Sequence, residues 1–252
     1  MKLSILNLGS AVAFLLSACV LAGCGGTKVL KESQPIQTTQ PLAAASDEQI
    51  SVALDWVIVR DGPGTWARNA DWDEYLLRVN NLTDDALEIT SITLLDSLGT
   101  RIDTDNSRRK LVKGARKTKR RYKDEGLEVR AGAGAGIMVV AGTASFGAGG
   151  MLAFGGSAVG AAGLMVAAPV LAVGGVLRGV NNSKVNKEIE TRQTLLSISL
   201  QREEEKSLDI FFPLTPSPRQ VELTYVDSQG EHTLVVDTLT TFGGLHLVQE
   251  AE

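Results

Sequence analysis

The chain has 252 residues, 44% of them hydrophobic and 21% charged, with a formal net charge of −4, a length sufficient for a domain or two with a sizeable core. Its two cysteines, Cys19 and Cys24, both lie near the start, so the chain beyond them has no thiol for a disulfide, a catalytic thiolate or a cysteine-based zinc site, and packing must supply stability. The mildly acidic average conceals one dense cluster of cations.

Met1-Lys2 is a minimal positive region, Leu3 to Leu16 is mostly apolar, and small residues then precede a cysteine, the pattern of an export signal over residues 1–23. Leu21-Ala22-Gly23-Cys24 resembles the lipobox of bacterial lipoproteins, whose cysteine becomes a diacylated N-terminus once the signal is cleaved. Leu16-Ser17-Ala18-Cys19 fits the same pattern. Cys24 is preferred because Gly25-Gly26 and a polar stretch follow it at once, whereas Val20 and Leu21 after Cys19 still read as signal. The alternative is a cleaved soluble secretory peptide with incidental cysteines. The resemblance implies a lipid-anchored protein of the bacterial cell envelope. With Gly25 rather than an aspartate after the cysteine, it also implies an outer-membrane address facing the periplasm.

Residues 24–47 are rich in Gly, Thr, Gln, Ser and Ala, with Pro35 and Pro41, and read as a flexible tether. From Ile50 the period becomes two. Ser51–Val59, Glu74–Asn80 and Leu87–Leu95 are predicted strands, as are Leu195–Leu200, Leu208–Phe212, Gln220–Val226 and His232–Val236. Asp96-Ser97-Leu98-Gly99 and Asp227-Ser228-Gln229-Gly230 share the form of a tight turn with Gly at a left-handed position. About seven short strands predict a mainly β fold, an antiparallel immunoglobulin-like sandwich, with Trp56 and Tyr75 in its core. Two separate domains would each have a marginal core, so one discontinuous sandwich of residues 48–105 and 194–248 is expected, interrupted by an inserted α-helical hairpin.

The insertion opens with a basic segment, residues 106–130, carrying Arg108, Arg109, Lys110, Lys113, Arg116, Lys117, Lys119, Arg120, Arg121 and Lys123. Such a block is commonly solvated or disordered. Beside an apolar run in a lipidated chain, it points instead to contact with anionic lipid headgroups. Nucleic acid is not an expected partner: the chain leaves the cytoplasm, and Tyr122 is the one aromatic in the block, where single-strand binding needs several for stacking.

Residues 131–177 are uncharged and dominated by Gly and Ala. Their length allows two helical passes of about twenty residues, the number that crosses a bilayer core, with a turn near Gly155-Gly156. Gly132, Gly136, Ala144 and Ala148 in the first half, and Gly156, Gly160, Ala168 and Ala172 in the second, place small residues at a spacing of four or its multiples, a helix-packing stripe of the small-xxx-small kind. The alternative is a hairpin buried on protein. A loose linker fits poorly with Ile137, Met138, Val139, Phe146, Leu164, Met165 and Val166, which are costly to leave in water. Residues 178–193 read as a polar connector with helical potential.

No cofactor is implied. Gly132-x-Gly134 and Gly134-x-Gly136 resemble the opening of a dinucleotide fingerprint but lack its third glycine and its strand context. His232 and His246 read as surface or sheet-edge residues, outside any hydrolase pattern. Asp71, Asp73 and Glu74 read as a solvated loop rather than a cation site, and Trp66 and Trp72 as exposed candidates for partner contact. The expected function is therefore non-enzymatic: an acyl-anchored envelope protein whose hairpin associates with membrane or self-assembles as a homo-oligomer, in a structural or channel-like role. A periplasmic binding or adaptor module docking into a larger envelope protein complex is the other reading.

Overall fold

The computed structural model describes residues 27–31, 36, 40–132 and 170–248, with backbone only for 170–179. Residues 1–23, Cys19 and Cys24 within or beside them, and Gly136, Ala144, Ala148, Gly156, Gly160 and Ala168 lie outside the described residues. Before the insertion the strands are β1 (Lys28–Val29), β2 (Ala43–Ser46), β3 (Ile50–Ile58), β4 (Ala67–Arg68), β5 (Trp72–Asn81), β6 (Leu87–Leu95) and β7 (Arg101–Asp103). Helices α1 (Arg108–Asp124) and α2 (Val170–Arg192) follow. The chain then forms β8 (Ile198–Leu200), β9 (Glu205–Pro213), β10 (Gln220–Asp227), β11 (Gly230–Asp237) and the short α3 (Leu239–Phe242).

The strands form two larger sheets and one small ribbon, every pairing antiparallel. One sheet runs β2-β3-β5-β9 and the other β11-β10-β6-β7, with β8 also on β6. The small ribbon is β1-β4. Their inner faces share a core: Ile50, Val52, Leu54, Tyr75, Leu77, Leu208 and Phe212 from one, and Ile89, Ile92, Leu94, Val221, Leu223 and Tyr225 from the other. Tyr75 and Phe212 meet edge to face with centroids 5.2 Å apart, a geometry that contributes about 0.5–1.5 kcal/mol beyond area burial.

Two bulges explain why the alternation in the sequence is imperfect. In β3 the register shifts between Leu54 and Trp56, so the inward set changes from Ile50, Val52 and Leu54 to Val57 and Val59. In β6 the register shifts opposite Thr224 and Tyr225, and the inward set changes from Leu87 and Ile89 to Ile92 and Leu94. One extra residue reverses the phase of every side chain after it. Tyr75 thus lies in the core as expected, while Trp56 is buried on the outer face, its Nε1 donating to Pro63 O at 3.4 Å.

Each sheet draws strands from both sides of the insertion. One edge of β6 is divided between β7, which precedes the insertion, and β8, which follows the insertion. Asn81 ties this junction: its Nδ2 donates to Asp85 O at 2.8 Å and to Gln201 O at 2.9 Å, and its Oδ1 accepts from the Thr83 amide at 2.9 Å. The two matching turns form as read. Asp96 Oδ1 accepts from the Leu98 amide at 3.0 Å and Asp227 Oδ1 from the Gln229 amide at 2.7 Å, while Gly99 and Gly230 adopt positive φ.

Parts of the predicted tether are built into the sheets. Ala43–Ser46 adds to the edge of β3, because small side chains lie flat there, and Asp47 closes the turn through the Gln49 and Ile50 amides. Further upstream, Lys28 and Val29 pair with Arg68 and Ala67. The body therefore holds Thr27–Leu30 and Ala43–Asp47.

Candidate functional site

The basic segment is ordered, contrary to the solvated or disordered alternative. Leu111, Ala115, Thr118 and Tyr122 recur at helical spacing and are buried; they seat α1 on the outer face of the β2-β3-β5-β9 sheet, chiefly against β9. Gly114 lets the helix approach: a Cβ there would stand 2.6 Å from Pro213 Cγ. Upstream, Asp105 Oδ1 accepts from the Ser107 amide at 2.9 Å. Downstream, Leu127 N donates to Tyr122 O at 2.9 Å and Gly126 N to Lys123 O at 3.0 Å, with Gly126 at φ +76°. That pair of bonds around a left-handed glycine is the Schellman end of a helix.

The ten cations divide into two groups. Three turn toward the body: Arg108 donates to the Thr27 hydroxyl at 3.2 Å, Lys119 Nζ lies 2.9 Å from Asp71, and Arg121 pairs with the buried Asp96. The other seven, Arg109, Lys110, Lys113, Arg116, Lys117, Arg120 and Lys123, are exposed. Arg109, Lys113, Arg116, Arg120 and Lys123 recur at i, i+4, i+7, i+11 and i+14, one stripe opposite the buried face. The helix begins Arg108-Arg109-Lys110 with no acidic residue in its first turn. Cations at the positive end of the macrodipole are unfavourable by about 0.3–1 kcal/mol each, so stability alone does not account for this arrangement.

The chain on either side of residues 133–169 is fastened to the sandwich. At entry, Arg130 N donates to His246 O and Val248 N to Glu128 O, each at 3.0 Å. Gly132 N donates to His246 Nδ1 at 3.1 Å. With Nδ1 accepting, Nε2 carries the hydrogen and donates to Asp73 Oδ2 at 2.8 Å. Gly132 is not part of a helix-packing stripe. It sits in a turn at φ +75°, where a Cβ would meet Arg60 O at 2.5 Å.

At exit, α2 begins inside the predicted apolar run, at Val170, and continues through the predicted polar connector; Ala172 lies within it. Val185 and Ile189 pack it onto Trp66, Trp72, Phe211 and Leu111. Arg192, its last residue, lies 3.6 Å from Glu74 and 5.1 Å over the Trp66 ring. Among the described residues no helix is long and apolar enough to cross a membrane.

Several residues sit elsewhere than their sequence context suggested. Trp66 and Trp72 are buried, only 5% and 3% exposed, because Leu111 of α1 and Val185 and Ile189 of α2 pack in one cluster with them. Asp71, Asp73 and Glu74 are not a solvated loop. Asp71 pairs with Arg60 and Lys119, Asp73 with His246, and Glu74 accepts from Trp66 Nε1 at 2.6 Å. Burial raises the Glu74 carboxyl to about 7, the Trp66 bond and Arg192 opposing the shift. The three acids diverge, and no group of three or more His, Cys, Asp or Glu among the described residues is placed to hold a metal ion. His246 is fully buried rather than superficial. His232 is at the sheet edge on β11, stacked on Tyr225 at 5.2 Å.

No protein-family model matches the chain, and no curated protein or solved structure compared with it gives a significant match.

Proposed function

We propose that this chain is a non-enzymatic lipoprotein of the bacterial envelope, acylated at Cys24 and facing the periplasm from the outer membrane. Its immunoglobulin-like sandwich carries a Gly/Ala-rich insertion that associates with membrane or self-assembles through its small-residue faces. The observation that carries the reading is the fastening to the sandwich of the chain before and after residues 133–169. Gly132 is bonded to His246, and α2 is packed through Val185 and Ile189 on Trp66 and Trp72, so the chain on either side of the uncharged Gly/Ala-rich segment is anchored to the sandwich.

The test is stepwise extraction from isolated envelopes. Cys24→Ser removes the acyl chain, and the protein is expected to stay membrane-associated through alkaline carbonate washing. Further deletion of 133–169, which spares the buried Ala131 and α2, is expected to release it. Release by Cys24→Ser alone would overturn membrane association through the insertion and favour an adaptor that docks into a protein complex. Fractionation of the acylated protein wholly with the inner membrane would overturn the outer-membrane address.

A further inference from the structure

We infer that the exposed face of α1 is the surface on which this protein lies against its membrane, its partners there being the anionic phosphate headgroups of the leaflet that receives the acyl chain. The inference rests on acylation at Cys24. Cys24 is three residues from Thr27, a distance that an extended chain spans in about 10 Å. Thr27 is buried, and its hydroxyl accepts a hydrogen bond from Arg108 in the first turn of α1. Lys28 and Val29 pair with β4 and lie against α2, and Leu30 N donates to Trp66 O at 2.8 Å. The body therefore does not swing on a long tether. The bilayer surface lies close to the start of α1, and the sandwich is held against it.

What α1 turns outward at that place is charge. The stripe Arg109, Lys113, Arg116, Arg120 and Lys123 spans about 21 Å along the helix axis, flanked by Lys110 and Lys117. Its cations occupy the electrostatically unfavourable end of the helix as well as the favourable one. An anionic surface beside the anchor supplies the compensating charge. Among the described residues the opposite sheet carries no comparable cluster: the exposed outer face of β11 presents Glu231, Thr233, Val235 and Asp237.

The experiment uses the purified full-length lipidated protein in phosphatidylethanolamine vesicles with or without phosphatidylglycerol. The mature chain has no cysteine besides Cys24, so a fluorophore is placed at Lys117→Cys or at Thr233→Cys and quenched by headgroup spin-labelled lipid. Several-fold stronger quenching at position 117 than at 233, dependent on phosphatidylglycerol and relaxed by salt, is expected. The combined Arg109→Glu, Arg116→Glu and Arg120→Glu variant is expected to abolish the difference. Salt relaxation of the labelled protein reads the same charges without any charge reversal. Equal quenching at both sites, or a difference indifferent to anionic lipid, overturns the orientation. Mass analysis of the N-terminal peptide separates the two readings. A protein acylated at neither Cys24 nor Cys19 overturns the lipoprotein reading and the orientation built on it, whereas acylation at Cys19 in place of Cys24, or an acylated protein with equal quenching, overturns the orientation alone.

Discussion

Asp73 and Glu74 are neighbours on β5, and strand geometry sends their side chains to opposite faces of the sheet. Asp73 orients His246, whose other ring nitrogen holds Gly132; Glu74 meets Trp66 and the terminal Arg192 of α2. Two adjacent buried carboxylates thus reach the chain before and after residues 133–169. Glu74 also makes stability depend on pH. Its carboxyl titrates near 7 in the folded protein against 4.5 ordinarily, chiefly because burial disfavours the charge. Between those values the folded state keeps a proton that the unfolded chain has lost. Stability therefore falls as pH rises through that window, by at most about 1.4 kcal/mol per pH unit, and levels off above 7. Glu74→Gln keeps an acceptor for the Trp66 N–H and is expected to remove this slope. Denaturant melts of the two proteins from pH 4.5 to 8 measure it, and parallel profiles would show that the carboxyl stays charged throughout.

At the scale of elements, α1 joins two demands that conflict. Its buried face and Schellman end favour the helix, whereas Arg108-Arg109-Lys110 at the positive end of the macrodipole oppose it. Arg109→Glu is therefore expected to raise stability by about 0.5–1 kcal/mol while weakening binding to anionic vesicles. Opposite signs in a melting curve and a vesicle sedimentation assay separate a functional charge from a structural one. Loss of stability together with loss of binding would assign Arg109 to the fold. The signal for this helix was present in the sequence as Leu111, Ala115, Thr118 and Tyr122, but only two of the four are large and nonpolar along most of their length, and ten cations obscure the period. For the same reason, the burial of Trp66 and Trp72 was hidden. Their neighbours in sequence are polar, and what covers them, Leu111, Val185 and Ile189, arrives from far along the chain.

For the whole molecule, the decisive fact is that neither sheet is complete without strands from both sides of residues 133–169. The halves share one core and cannot unfold independently. Limited proteolysis within 133–169 is expected to leave two fragments that co-elute in gel filtration and melt in a single transition. Two transitions, or separation of the fragments, would show two small domains.

Alone, the sequence determined the seven principal strands, the turns at Asp96 and Asp227, and the segregation of cations before an uncharged Gly/Ala run. Each of these is a local matter of side-chain period, turn chemistry or composition. Tertiary structure decided which buried residues point inward after the bulges in β3 and β6, and which cations of α1 bond to the body. It also decided that Thr27–Leu30 is docked rather than free and that His246 and Arg192 fasten the insertion. These outcomes depend on partners distant in sequence, up to 173 residues away, through hydrogen bonds and contacts that no local pattern encodes, such as Lys119 with Asp71 and His246 with Asp73.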